Sequence, residues 1–508
     1  MPRVYSVPEV RPLDGPVRAG DVVSAHHAHL SPVTVRWLVF VVVASLIAGV
    51  VPVLLIAEVE NVGRSDAWAI TWGITVWAGI RLAHRVAAGK AALFDFMFWI
   101  FVYIFMGLAP TAQIRADEVS STTPGMDPLL DGRIAGAVVL GLFSYEVGRF
   151  AARHLVPALR SKQVSEGGPS PDLFGGPGRR PLDVVPSRAV VLTLVGVLAA
   201  AYYVYRIGVS TLFMSRYSAF EIRSERMPDI ATRSIVSAAG SYPLLIAAGV
   251  YLRVWVTRAL GERSGRHLPL LAVSVGALLL VVNPISAARY DFGTIVFALV
   301  VFAGAFGTLR RSRVTMAAVF TGFIFVFPIA DAFRSNTLNT TRNGFFGEYL
   351  GNADYDGFWQ IGNALSYADD GLVQPLRQAL GVVLFWVPRA IWPDKPYDTG
   401  ILLAQYRNYS FDNLSAPLWA ELIVNGGLVL LVVGFVLVGV MLGRLDVRVA
   451  DALVNAGHLW AIVGGVFSIY MIILLRGSLL QATGTLVVAI ASVLYVFGRP
   501  PPTPAAAA

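Results

Sequence analysis

The chain has 508 residues, 56% of them hydrophobic and only 14% charged, with a formal net charge of +8 and a mean hydropathy of +0.64. A soluble chain carries roughly 25% charged residues, so this balance excludes a string of soluble domains, a disordered chain, a coiled coil and a nucleic-acid-binding globule. Cysteine is absent, which excludes a disulfide, a thiolate metal site and a cysteine nucleophile.

A helix that crosses a bilayer needs about 20 mostly apolar residues to cover about 30 Å. By that measure the chain predicts an all-α, polytopic integral membrane protein. About twelve transmembrane helices fall near 35–57, 67–83, 93–111, 133–153, 188–206, 234–256, 268–285, 292–308, 314–333, 417–442, 458–475 and 479–497. The second, eighth and last are weakest, being short or rich in Gly. Residues 1–34 form a polar cytoplasmic segment, too long for the basic lead of a cleavable signal peptide, so the first span is expected to remain as an anchor.

The cations set the expected orientation. With the N-terminus inside, cytoplasmic connections carry Arg81, Arg85 and Lys90; Arg149, Arg153, Arg160, Lys162, Arg179 and Arg180; Arg253, Arg258, Arg263 and Arg266; Arg310, Arg311 and Arg313; and Arg444 and Arg448. The connection 112–132 is acidic, with Asp117, Glu118, Asp127 and Asp131. That alternation follows the positive-inside bias and predicts both termini in the cytoplasm. Residues 157–187, with Gly168-Pro169 and Gly176-Pro177, read as a flexible cytoplasmic linker. Residues 334–416, between spans 1–9 (35–333) and spans 10–12 (417–498), read as one large extracytoplasmic loop, and loops of such length usually serve function. Residues 499–508 read as a disordered cytoplasmic tail, and no internal repeat is evident.

All seven histidines (His26, His27, His29, His84, His154, His267 and His458) fall on or near the expected cytoplasmic side. The outer face is then left without a zinc site or a histidine base. What remains there is arginine, carboxylate, tyrosine and tryptophan, a set suited to phosphates gripped by guanidinium forks and sugars held against rings.

Arg289, in the turn Asn283-Pro-Ile-Ser-Ala-Ala-Arg-Tyr-Asp291, reads as a snorkelling anchor, a partner of Asp291, or a site cation. Arg476, flanked by apolar residues, needs either a ligand or an outer carboxylate to offset its burial. Arg334, near Asp331, reads as a helix-terminal ion pair or a ligand-binding cation. Arg216, Arg223, Arg226 and Arg233 alternate with Glu221, Glu225 and Asp229 as on an interfacial helix laced by ion pairs. Asp354, Asp356, Asp369 and Asp370 read as solvated loop charges. The densest feature is Phe385-Trp-Val-Pro-Arg-Ala-Ile-Trp-Pro-Asp-Lys-Pro396. Its three prolines bar a helix interior and predict a stiff segment presenting Arg389, Trp392, Asp394 and Lys395. The apolar run Leu380–Val387 before it is too short to span and predicts an interfacial dip.

On these residues the chain resembles the bacterial O-antigen polymerase family, the oligosaccharide repeat-unit polymerases. Arg389 and Gly400 stand ten residues apart, as in the Arg-x10-Gly pattern of outer loops in such polymerases; Pro388-Arg-x-x-Trp-Pro-Asp-Lys-Pro396 and Ser415-Ala-Pro-x-x-x-Glu421-x-x-x-Asn425-Gly426 are also similar. A second strict copy of the pattern is absent. The resemblance implies a GT-C-like membrane glycosyltransferase of the cytoplasmic membrane that acts on undecaprenyl-diphosphate-linked oligosaccharide. It implies membrane lipid, a chain-length regulator and a flippase as partners, with no nucleic acid, no cofactor and no metal. Arg389, Lys395, Arg289, Arg334 and Arg476 would hold the diphosphate as charge develops on it. Asp394, Asp291, Glu348 or Glu421 would take the acceptor proton, and Trp392, Tyr397 and Trp359, with Trp386 and Tyr406, would place sugars. The related ligases are associated with an outer histidine, which this chain lacks. Two rivals stand beside it: a transferase using polyprenyl-monophosphate sugars, suggested by Glu58-Val-Glu60, and a flippase of lipid-linked oligosaccharide.

Overall fold

In bilayer hydrocarbon every backbone N–H and C=O must find a partner within the chain, so long apolar runs close into helices. The computed structural model describes residues 31–154, 183–258, 265–326, 345–412, 414–455 and 457–498, and it is a helical bundle. Most of the expected linker, the tail 499–508, and Arg334 lie outside the described residues. Among the described residues eight helices are long and apolar enough to cross a membrane: α1 (Pro32–Glu58), α3 (Leu93–Ala116), α4 (Pro128–His154), α5 (Pro186–Ile207), α8 (Thr232–Thr257), α15 (Leu418–Val454), α16 (Leu459–Arg476) and α17 (Leu479–Val496). The protein is therefore membrane-embedded. Three expected spans are shorter or more polar: α9 (Leu268–Val281) and α10 (Arg289–Phe302) have 14 residues each, about 21 Å at ~1.5 Å per residue, and α11 (Leu309–Thr321) opens with Arg310, Arg311 and Arg313. The remaining one, α2 (Ala67–Ala88), is a 22-residue helix.

The centre of the bundle is α3, in which every residue from Leu93 to Arg115 is buried. A helix apolar all round has no face to spare for solvent or lipid. Both α1 and α3 widen into a π turn, Ser45–Val50 and Val102–Leu108, just before Pro52 and Pro110. Proline offers no N–H to the preceding turn, and the wider turn absorbs the missing bond. The most extensive helix pair is α4 with α15. A Cβ on Gly148 would run into the Val436 carbonyl, and one on Gly439 into the Tyr145 carbonyl. Small residues at this crossing let the two backbones touch, which is how helices associate where burial from water offers no drive.

Alternating helices sort the polar connections into two ends. At one end Arg85, Arg149, Arg253, Arg313 and His458 sit together; there Arg313 donates to the Ala87 carbonyl (3.1 Å) and His458 pairs with Asp183 (2.5 Å). A two-residue antiparallel pairing, Asp183–Val184 with Phe497–Gly498, closes this end. The opposite end carries Arg64, Asp131, Arg289, Arg389 and Arg476.

The region expected as one large loop is itself partly helical where described. Residues 357–369 form α12 (Gly357–Asp369), buried along nearly its whole length against α4 and α15. It is followed by α13 (Arg377–Val383) and α14 (Thr399–Arg407). Phe358, Trp359, Ile361 and Leu365 supply an apolar face that the sequence placed in a loop only because 13 residues are too few to span.

Candidate functional site

Proline and capping shape the densest motif. Asn425 anchors the start of α13: its carbonyl accepts from the Leu376 N–H (2.9 Å) and its side-chain oxygen from the Ala379 N–H (2.9 Å). Directly after it, α15 breaks at Gly426–Gly427, where Gly427 takes φ +64°. Beyond α13 the chain folds back on itself. Arg389 donates to the carbonyls of Lys395 (2.5 Å) and Pro396 (3.3 Å), and the Lys395 ammonium donates to those of Phe385 (2.5 Å) and Val387 (3.0 Å). The Arg389 guanidinium lies 4.2 Å over the Tyr397 ring. Arg377 donates to the Asp394 carbonyl (2.9 Å) and to Gln374.

These residues wall an open cleft of about 320 Å³, lined by Arg377, Arg389, Asp394, Lys395, Tyr397 and Tyr367 among others. Its three cations are held by backbone carbonyls and an amide, and among the described residues none forms an ion pair with a carboxylate. Partial desolvation, helped by Arg389, pushes the Lys395 ammonium below its usual pKa. Asp394 is exposed on the cleft wall. Trp392 is half-buried and does not line the cleft.

Two further arginines from the sequence are brought together elsewhere at this end, and they are neutralised. Arg289 ion-pairs with Asp354; Arg476 donates to the Asp354 carbonyl (3.0 Å) and carboxylate (3.3 Å) and lies 3.9 Å from Asp356. Asp356 also accepts from the Ser415 N–H (3.0 Å), and burial pushes its carboxyl up from the usual range. The expectation that Asp354 and Asp356 are solvated is therefore corrected: they are the partners of the two arginines. Asp369 and Asp370 are exposed but engaged, by Arg133 and the Tyr406 hydroxyl. Glu348 is buried and accepts from the Asn352 amide (2.9 Å).

Glu421 is a tie rather than a free base. One carboxylate oxygen accepts from the Thr399 hydroxyl (2.7 Å) and the other from the Leu479 N–H (2.9 Å), so it binds the starts of α14 and α17 to α15. Next to it, a Cβ on Gly400 would strike the Leu414 carbonyl, which gives the glycine of the Arg-x10-Gly spacing a steric cause. Asp398 caps α14 by accepting from the Ile401 N–H (3.1 Å), and burial holds its carboxyl above the usual range. Trp359 is fully buried with its indole N–H donated to Gln113 (2.8 Å), leaving no face for a sugar. Asp291 lies away from the cleft, with Arg216 and Arg223 as its charged neighbours.

Of the cations singled out in sequence, then, Arg389 and Lys395 share the cleft, Arg289 and Arg476 share the neutralised cluster, and Arg334 lies outside the described residues. Arg377 and Tyr367 were missed. Their only sequence signal is proximity to the proline-rich motif, since the fold alone turns α12 and α13 toward it. Among the described residues no three His, Asp or Glu side chains converge as a metal site. The geometry defines a helical, membrane-embedded protein with a cationic cleft at one end of the bundle. Comparison with family models, curated proteins and solved structures finds no match to the chain.

Proposed function

We propose that the protein is an oligosaccharide repeat-unit polymerase of the bacterial cytoplasmic membrane, with about twelve spans, both termini cytoplasmic and the Arg389 end facing outward. It transfers a growing glycan from an undecaprenyl-diphosphate carrier to the terminal hydroxyl of an incoming lipid-linked repeat. The observation that supports this reading is the cleft, where three cations held by backbone carbonyls and an amide stand beside an exposed carboxylate and two tyrosines. In the reaction the acceptor oxygen bonds to the anomeric carbon while the bond from that carbon to the diphosphate oxygen breaks. Arg389, Lys395 and Arg377 take up the charge that develops on the departing diphosphate. Asp394 accepts the acceptor proton, and the exposed Tyr397 offers its hydroxyl and its free face to sugar.

The test is Arg389→Ala. Removing one donor aimed at developing charge costs on the order of 10²–10³ in rate, so the variant is expected to give single-repeat product on a gel while remaining in the membrane with an unchanged thermal midpoint. Polymer of normal length would overturn the assignment. Reconstituted protein supplied with a short lipid-linked repeat is expected to lengthen it; movement across the bilayer without lengthening would favour a flippase.

A further inference from the structure

At the opposite end of the bundle, cations from three helices converge. On α2, Arg81, His84 and Arg85 are spaced three and four residues apart and share one face; on α4, Glu146, Arg149 and Arg153 do the same. The first turns of α1 add Arg36. The inner layer of this group is neutral. Arg85 pairs with Asp95, Arg149 with Asp446 (2.7 Å) and Asp95 (3.4 Å), and Arg81 with Glu146.

The outer layer is not neutral. Arg36, His84 and Arg153 are exposed, and Arg36, Arg81, Arg85 and Arg153 all lie within electrostatic reach of His84. Among the described residues neither Arg36 nor Arg153 has a carboxylate ion pair. Between the layers, the buried Nε of Arg81 and Nη2 of Arg85 have no hydrogen-bond acceptor. On both sides the surface is apolar and exposed: Trp37, Leu38 and Val41 on α1, and Phe143, Val147 and Phe150 on α4. Such flanks belong among acyl chains.

We propose that this cationic patch of α1, α2 and α4 is a binding site for the phosphate headgroup of an anionic phospholipid in the leaflet at that end. Arg36 and Arg153 clamp the phosphate from the rim, with the exposed His84 within reach of both, and the acyl chains lie along the exposed faces of α1 and α4. A bias of positive charge toward one side of a membrane scatters arginines along the connections. Here they converge on one spot with unused donors and apolar flanks. The site is remote from the cleft, so it stands whether or not the polymerase reading does.

The experiment uses the full chain in phosphatidylcholine nanodiscs titrated with phosphatidylglycerol, with the thermal midpoint as readout. The wild type is expected to gain stability saturably. The Arg36→Gln/Arg153→Gln double variant, changed only at exposed positions, is expected to bind roughly thirtyfold more weakly, from about 1 kcal/mol per basic residue at an anionic surface. The Arg310→Gln/Arg311→Gln variant, which removes two exposed cations elsewhere at the same end, is expected to respond as wild type. Equal loss in both variants would reduce the effect to bulk surface charge and overturn the site. The same midpoint rise from inorganic phosphate alone would overturn the lipid assignment, as would the absence of any response to phosphatidylglycerol.

Discussion

The two ends of the bundle treat arginine differently. At the Arg149 end, Arg85 and Arg149 are buried against Asp95 and Asp446, with Tyr145 donating to Asp95 (2.8 Å) and the Phe94 N–H to Asp446 (2.9 Å). In the cleft, Arg389 and Lys395 grip the carbonyls of their own loop, and among the described residues no carboxylate forms an ion pair with them. A carboxylate partner cancels a cation's field, whereas a carbonyl fixes its position and leaves the charge to act on something else. The first arrangement holds helices together; the second is prepared for an anion. Arg289 and Arg476 lie at the same end of the bundle as the cleft but belong to the first kind, because Asp354 and Asp356 are folded against them.

Three substitutions sharpen that contrast, from the largest loss of stability to the smallest. Asp446→Ala leaves Arg85 and Arg149 to share the single carboxylate of Asp95, and breaking a buried pair by removing one partner costs about 3–5 kcal/mol. The expected outcome is a large drop in thermal midpoint in detergent; a midpoint like wild type would mean that water reaches the pair and that the end is not a sealed latch. Gly400→Ala forces the Leu414 carbonyl away, an overpacking cost of about 1–3 kcal/mol. It is expected to lower the midpoint moderately and to loosen the cleft loop, read as faster proteolysis within residues 384–400. No change in either would sink the steric account of the glycine. Arg133→Ala removes an ion pair whose side chains are 52% and 50% exposed, and exposed pairs contribute about 0.2–1 kcal/mol. A shift as large as that of Asp446→Ala would show that exposure is a poor guide to the worth of these pairs.

The helical, membrane-embedded character of the chain was legible from hydropathy and length. The site was legible only in part. The proline-rich motif announced its own rigidity, and Arg389, Asp394, Lys395 and Tyr397 do line one cleft. Trp359 and Glu421 lie outside the cleft, because type and position along the chain suggest chemistry, while burial and hydrogen bonding decide how a side chain is engaged. Nothing in sequence separates an indole that stacks on a sugar from one whose N–H is spent on Gln113.

The amino-acid order by itself determined that the chain is helical and membrane-embedded, because an apolar run has no other way to satisfy its backbone in hydrocarbon. It also determined where the chain must stiffen, since proline acts on its own backbone without help from neighbours. Only the tertiary structure decided which cations are neutralised and which keep their charge. That choice rests on partners hundreds of residues away, such as Asp446 for Arg149 and Asp354 for Arg476, and a Coulomb interaction depends on distance in space rather than along the chain.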